Sequence, residues 1–183
     1  MARRSFLNHA TAGALWFQVA GVAELLTPRA ARAASAAMRV LSAAEVLALE
    51  ALGETLLPGA PEAGIAHFVD SQLAADPAES LLMIRYLDVP PPYVDFYRPV
   101  LAALDAAARA AHGRAFHELG SGAAEAMVAQ MSRENPPGWQ GPPAAFAYFV
   151  LRNDAVDVVY GTMEGFEKLG IPYMPHIVPP NKW

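Results

Sequence analysis

The amino-acid sequence predicts an all-α protein, and three observations support that fold class. Apolar residues recur at the spacing of one helix face along most of the chain. Capping residues precede these apolar runs, and Pro or Gly ends them. β-branched residues cluster in one place, Val156 to Val159, where the flanks have helical periodicity and no partner strand is evident. We therefore expect a compact domain of about six to eight helices, followed by an extended Pro-rich C-terminal tail.

Length and composition indicate one folded domain. The 183 residues are 54% hydrophobic and 17% charged, which favours a packed core over disorder. The net charge of −5 argues against a general nucleic-acid binder. The sequence contains no cysteine, which excludes disulfides, thiolate metal sites, covalent haem attachment and a cysteine nucleophile.

The N-terminal segment differs from the rest of the chain in charge and carries an export motif. Residues 1–33 hold four arginines and one glutamate, a net charge of +3, which leaves −8 on residues 34–183. The pair Arg3-Arg4 is followed by Phe6 and Leu7, and this order resembles the twin-arginine export signal of bacteria. A basic front and an acidic remainder are typical of a leader and a mature protein.

An apolar run and a cleavage motif complete the predicted leader. The run extends from Ala10 to Leu26 as a helix that Pro28 ends, and Ala31-Arg32-Ala33 then supplies the small residues of a cleavage site. The run is short and contains Glu24, so a permanent transmembrane helix is the weaker interpretation. An unprocessed leader that holds the protein at a lipid surface stays open as an alternative. We predict a signal peptide over residues 1–33, a helical domain over residues 34–170 and a tail over residues 171–183.

The helices of the domain are predicted from their caps and stops. Ser42 and Glu45 have the spacing of a capping box, and Pro58-Gly59 ends the helix that follows it. Pro90 to Pro92 is predicted to be a stiff, extended linker. Further helices are expected from about Glu62 to Asp76, Pro77 to Tyr86, Tyr93 to Gly113, Ala123 to Met131, Ala144 to Leu151 and Asp154 to Tyr160.

The end of the chain is apolar but cannot be helical. Thr162 is placed to cap a short helix with Glu164 near its positive end, and Gly170 suits its C-terminus. Residues 171–183 then contain four prolines, which forbid a helix, although the segment is rich in apolar side chains. Such a segment either folds back on its own helices or docks on a partner, and its apolar content favours docking. The predicted partner interface consists of Tyr160, Glu164, Tyr173, Met174, His176, Ile177 and Trp183.

The sequence carries few signs of catalytic chemistry. His67 and Asp70 have a spacing that allows them to share a metal ion, but no third ligand is nearby. Gly120-Ser121-Gly122 is interpreted as a flexible connector, not as a nucleophile elbow. Neither a dinucleotide-binding fingerprint nor a P-loop occurs. We predict no catalytic, cofactor-binding or metal-binding residue. The alternative is a stand-alone periplasmic hydrolase or isomerase, which requires one buried carboxylate with a raised pKa in a cleft.

Two segments carry a family resemblance. One is Leu56 to Ile65 with Phe68 to Asp70, and the other is Phe146 to Trp183, which includes Glu164-Gly165-Phe166 and Pro172 to Ile177. They resemble the gluconate 2-dehydrogenase subunit 3 family, the small, non-catalytic subunits of flavin-dependent sugar and alcohol dehydrogenases. Residues 80–115 match that pattern only loosely, which leaves the substrate of the complex open.

The resemblance implies a role beside a larger flavoprotein. That partner would be a dehydrogenase of the glucose-methanol-choline type that contains flavin adenine dinucleotide (FAD), often accompanied by a cytochrome c subunit. Small subunits of this kind carry the export signal and help the large subunit mature. We therefore expect a chain with no cofactor of its own, exported to the periplasm in complex with its partner. Membrane contact is expected only through the signal peptide or the complex.

Overall fold

Eight α-helices and one short hairpin make up the regular structure of residues 15–170, the part of the chain that the computed structural model describes, together with two turns of 3-10 helix. The all-α fold class is confirmed. The hairpin strands are β1 (Leu15–Val19) and β2 (Val22–Leu26). The helices are α1 (Pro28–Ala33), α2 (Ala43–Leu56), α3 (Ala60–Ala63), α4 (Ile65–Leu73), α5 (Val94–His112), α6 (Ser121–Met131), α7 (Ala144–Tyr160) and α8 (Met163–Lys168).

Helix α2 begins with the predicted capping box. The Ser42 hydroxyl accepts a hydrogen bond from the Glu45 amide, and the Glu45 carboxylate accepts one from the Ser42 amide. The same carboxylate lies 2.7 Å from the Arg98 guanidinium, which joins α2 to α5. Burial alone would raise the pKa of Glu45, but the bonds from Ser42 and Arg98 outweigh it and lower the pKa.

The predicted helix near Glu62 is divided in two. Gly64 has φ of +88°, the left-handed region that favours glycine, and it separates α3 from α4. A Cβ atom on Gly64 would lie 2.3 Å from the carbonyl oxygen of Pro28. The break therefore lets α1 approach α3 and α4 at a position that only glycine fits.

One main core fills the space between α2, α4, α5 and α7. Its buried members run from Leu41 to Val159. Alanines on α5 and α7 are fully enclosed, and their small side chains let the helices approach closely; they include Ala107, Ala108, Ala144, Ala147 and Ala155. Gly113, with φ of +72°, ends α5 as predicted.

The helix predicted from Pro77 to Tyr86 is wrong. This stretch contains only a 3-10 turn at Met83–Tyr86. Backbone amides of this stretch donate to side chains outside it and not to carbonyl groups one helical turn earlier. Gln72 accepts from the Leu81 amide, and Asp154 accepts from the Met83 amide. The backbone is satisfied without a helix, so the apolar spacing there reflects contacts with the core.

Two other helix boundaries differ from the predictions, whereas the linker at Pro90 to Pro92 lies outside any helix as expected. The segments expected at 144–151 and 154–160 are one continuous helix, α7, so the helical interpretation of Val156 to Val159 is confirmed. Ser121 and Gly122 begin α6 and are not a connector. The linker Pro90 to Pro92 is not helical, and its Pro91-Pro92 bond is cis.

Residues 15–26, the described part of the apolar run in the predicted leader, form a β-hairpin and not a helix, and Pro28 begins α1 instead of ending a helix. Strands β1 and β2 pair in antiparallel register, Leu15 with Leu26 and Val19 with Val22. Ala20 and Gly21 both have positive φ, as a two-residue type I′ turn requires. The apolar run thus contains a turn signal in its centre that the helical interpretation overlooked. Within residues 15–170, no helix has both the length and the apolar content needed to cross a membrane.

Candidate functional site

Two residues of the predicted interface lie in the described part of the chain, and they are close in sequence at the junction of α7 and α8. Tyr160, the last residue of α7, is half-buried and packs on the main core. The Thr162 hydroxyl caps α8 by accepting from the Gly165 amide. Glu164 is exposed in the first turn of α8, with its carboxylate 3.3 Å from Arg29.

The other predicted residues lie outside the described part. They are Arg3, Arg4, Phe6 and Leu7 of the export motif and Tyr173, Met174, His176, Ile177 and Trp183 of the tail. Their roles stay predictions. The described chain ends at Leu169 and Gly170, both of which are exposed. The residues that follow therefore start from the protein surface, next to α8.

A small second cluster lies at the other end of the chain. We call residues 15–36, which comprise β1, β2, α1 and the turn after it, the N-terminal unit. Phe17, Ala31 and Ala36 form its own buried cluster, and the partly buried Leu15 packs against both this cluster and the main core. The Phe17 ring meets the edge of the His67 ring on α4 at a centroid distance of 6.2 Å. The unit is thus a satellite that rests on the helical domain.

Ion pairs and one backbone contact hold the N-terminal unit on the domain. Arg32 lies 3.2 Å from Glu50 on α2, and Arg29 pairs with Glu164 on α8. Nε2 of His67 lies 3.3 Å from the Ala36 carbonyl oxygen. The unit therefore bridges helices from both ends of the domain.

His67 and Asp70 have no third metal ligand beside them in the described part of the chain. Among residues 15–170, no three His, Asp or Glu side chains come close enough to hold a metal ion together. The Asp70 carboxylate accepts hydrogen bonds from three successive amides, those of Arg39, Val40 and Leu41, at 2.8–2.9 Å. Burial lowers the pKa of His67, which favours the neutral ring. The pair anchors the chain where it enters the domain.

The most perturbed carboxyl group of the described chain is Asp154 on α7. It is fully buried, and its two oxygens accept from the Met83 amide at 2.9 Å and from the Tyr97 hydroxyl at 2.5 Å. Burial raises the pKa of Asp154 to about 7, although both hydrogen bonds oppose the rise, and Asp157 adds a small repulsion. Burial and the facing carboxylate raise the pKa of Tyr97 well above its usual value, so its hydroxyl stays a donor.

The stand-alone enzyme hypothesis requires a buried carboxylate that has a raised pKa and lies in a cleft. Asp154 has the raised pKa but does not lie in a cleft. Its pKa is raised, but the carboxyl group is enclosed and both oxygens are engaged by Met83 and Tyr97. A general acid or base must reach its substrate within hydrogen-bond distance, directly or through one water. The arrangement therefore fits a structural link among α5, α7 and the 3-10 turn.

A shallow depression lies between α5 and α6. Its volume is about 130 Å³, and alanine, methionine and proline side chains form most of its wall. His112 and Gln130 are its polar members. No carboxylate lines it, so it does not supply the carboxylate in a cleft that the enzyme hypothesis requires.

These features define a small all-α domain whose buried polar network joins its helices together. Residues 43–179 match the family model Gluconate 2-dehydrogenase subunit 3. The match covers about three quarters of the chain, and the protein belongs to this family. Comparison with curated proteins and with solved structures finds no match. The family is named for a subunit, so membership indicates a component of a dehydrogenase complex.

Proposed function

We propose that this chain is the non-catalytic small subunit of an FAD-dependent sugar or alcohol dehydrogenase. In this proposal it carries the twin-arginine export signal, stabilises the large catalytic subunit and escorts it to the periplasm. The family match over residues 43–179 is the observation that carries the proposal. The FAD belongs to the partner, and a cytochrome c subunit is a further candidate member of the complex.

The extent of the main core supports separate roles for the helical domain and for the segments on either side of it. The buried members of the main core end at Leu41 on one side and at Val159 on the other. The N-terminal unit and α8 lie outside these limits. Segments that are not needed to fill a core are available for recognition, by the export machinery at one end and by the partner at the other.

The C-terminal contact is proposed to use aromatic anchors. Tyr160 is half-buried at the end of α7, which fixes its position. Tyr173 and Trp183 follow in the tail, and buried aromatic side chains dominate the free energy of many interfaces. Prolines reduce the conformational entropy that the tail loses on binding.

Deletion of residues 171–183 tests the partner contact. The full chain, tagged and expressed with the flavoprotein gene of its own operon, should retain a protein with flavin absorbance on the affinity column. The deletion should reduce that flavin signal at least about tenfold, because the apolar anchors are lost. Lys182→Ala is the matched control and should retain the flavoprotein. An undiminished flavin signal from the deletion would count against the tail's role.

Substitution of the twin arginines tests the escort role. Arg3→Lys with Arg4→Lys keeps the charge but removes the guanidinium pair, and it should leave both proteins in the cytoplasm. Arg114→Lys, on the exposed surface of the domain, is the control and should not affect export. Cell fractionation with antibodies against both subunits measures the result. Export of the dehydrogenase by the double variant would refute the escort role.

A further inference from the structure

We propose that residues 15–33 dock on the helical domain as a folded cap, and that docking shields the peptide bond after Ala33 from processing until the cap detaches. The surface that receives the cap includes Glu50, Gly64, His67 and Glu164. This inference rests on the proposed export function, since it concerns the fate of the predicted leader. It adds that the leader is bound by the protein it precedes.

The fit between α1 and the domain is close. The carbonyl group of Pro28 occupies the space that a Cβ on Gly64 would need. Ala31 is fully buried, and Phe17 from the hairpin is 6% exposed against His67. The cap therefore contacts its receiving surface through backbone as well as side chains.

The predicted cleavage motif lies inside this cap. Ala31, Arg32 and Ala33 form the last turn of α1. The Arg32 guanidinium is held by Glu50, and the Ala34 amide donates to the Ala30 carbonyl oxygen. Cleavage of a folded segment requires local opening of its hydrogen-bonded structure. Ala33 and Ala34 are exposed, so the bond between them is protected by the helical, docked conformation of α1 and not by burial.

The contacts between the cap and the domain are weak enough for the cap to detach. The apolar cluster has three buried members, of which Phe17 and Ala31 belong to the cap and Ala36 lies beyond the cut, and the ion pairs of Arg29 and Arg32 are partly exposed. Exposed ion pairs contribute little, so the cap detaches at low cost while the main core stays folded. The Asp70 carboxylate holds residues 39–41, on the far side of the cut. Cleavage therefore leaves the domain anchored at its new start.

Charge reversal on the domain side tests the cap without changing the leader. In Glu50→Arg with Glu164→Arg, both attractions become repulsions towards Arg32 and Arg29. Glu79→Arg with Glu125→Arg makes the same change in net charge at exposed positions outside the receiving surface. The purified full chains are treated with trypsin, which cuts after Arg29 and Arg32, and separately with a bacterial signal peptidase. A synthetic peptide of residues 15–40 gives the rate for an undocked segment.

We expect the wild-type chain and the control to be cut more slowly than the peptide. The Glu50→Arg, Glu164→Arg variant should be cut roughly threefold to tenfold faster than wild type, with the same melting temperature. The cap proposal would be refuted if the wild-type chain were cut as fast as the peptide, or if the variant were cut no faster than wild type. If the peptidase leaves even the peptide uncut, the processing site is refuted and trypsin still tests docking. Neither assay involves the partner or transport across the membrane. A failure of the cap proposal can therefore be distinguished from a failure of the escort proposal.

Discussion

The main core and the N-terminal unit are built on different scales. The main core gathers buried residues from Leu41 to Val159, and long-range polar links such as Tyr97 to Asp154 tie its helices together. The N-terminal unit buries four residues, Phe17, Pro28, Ala31 and Ala36. It meets the domain through one ring contact, the contact of His67 with the Ala36 carbonyl, the packing of Pro28 on Gly64 and two partly exposed ion pairs. The comparison sets a region with an extensive core beside a region that buries few residues of its own.

The two regions should differ most in how much free energy of unfolding is lost when one large side chain of each is truncated. Leu104→Ala removes a fully buried side chain of α5 and should lower the free energy of unfolding by about 2–5 kcal/mol. Phe17→Ala should change it by less than about 1 kcal/mol, because the unit opens without the core. Denaturant unfolding measures the first effect, and hydrogen exchange of residues 15–26 measures the local loss. Equal losses of global stability would mean that the two regions unfold together.

The buried carboxyl group makes the main core sensitive to pH. The pKa of Asp154 is about 7 in the folded protein and is near 3.8 in its usual state, so folding favours the protonated form. Its stabilising contribution is complete below the unfolded pKa and is lost as pH rises through the folded pKa. The difference in unfolding free energy between wild type and Asp154→Asn should therefore fall by up to about 4 kcal/mol from pH 4 to 7.

Urea unfolding at several pH values measures this difference. Tyr97→Phe sharpens the test, since the Tyr97 bond opposes the rise in the pKa of Asp154. Its removal should carry the loss of stability to higher pH. Substitution in the N-terminal unit should leave the slope unchanged, because the unit does not contact Asp154 through any hydrogen bond of the described chain. An Asp154→Asn protein with the wild-type pH slope would disprove the assignment.

The smallest expected effects on stability come from removing one helix-capping side chain in each region. Ser42 caps α2 in the domain, and Thr27 caps α1 in the N-terminal unit by accepting from the Ala30 amide at 3.2 Å. Ser42→Ala should lower the global free energy of unfolding by about 1 kcal/mol. Thr27→Ala should leave that value within error and should speed exchange in α1. Reversal of this order would place the stable region at the N-terminus.

The parts of the fold that were predictable depend on neighbours in sequence. The capping box of Ser42 and Glu45, the stop at Gly113 and the cap at Thr162 each require only residues a few positions apart. Such signals are complete within one turn of helix. The apolar spacing of α5 and α7 was informative for the same reason.

The missed features depend on residues far apart in sequence. The turn at Met83–Tyr86 replaced the expected helix because Asp154, 71 positions away, binds the Met83 amide. The Tyr97 to Asp154 pair spans 57 positions and has no local pattern. The hairpin has a local signal, Ala20-Gly21 between two short apolar runs, but the same runs also fit the apolar segment of an export leader.

The Asp70 carboxylate has a practical consequence for distance measurements. It fixes the backbone at residues 39–41, so a chain that begins at residue 34 has only a short free stretch before a rigid point. Five residues extend at most about 18 Å. A fluorescent dye on that terminus stays within this radius of α4. Energy transfer from it to the flavin of the proposed partner would report how that partner is oriented on the domain.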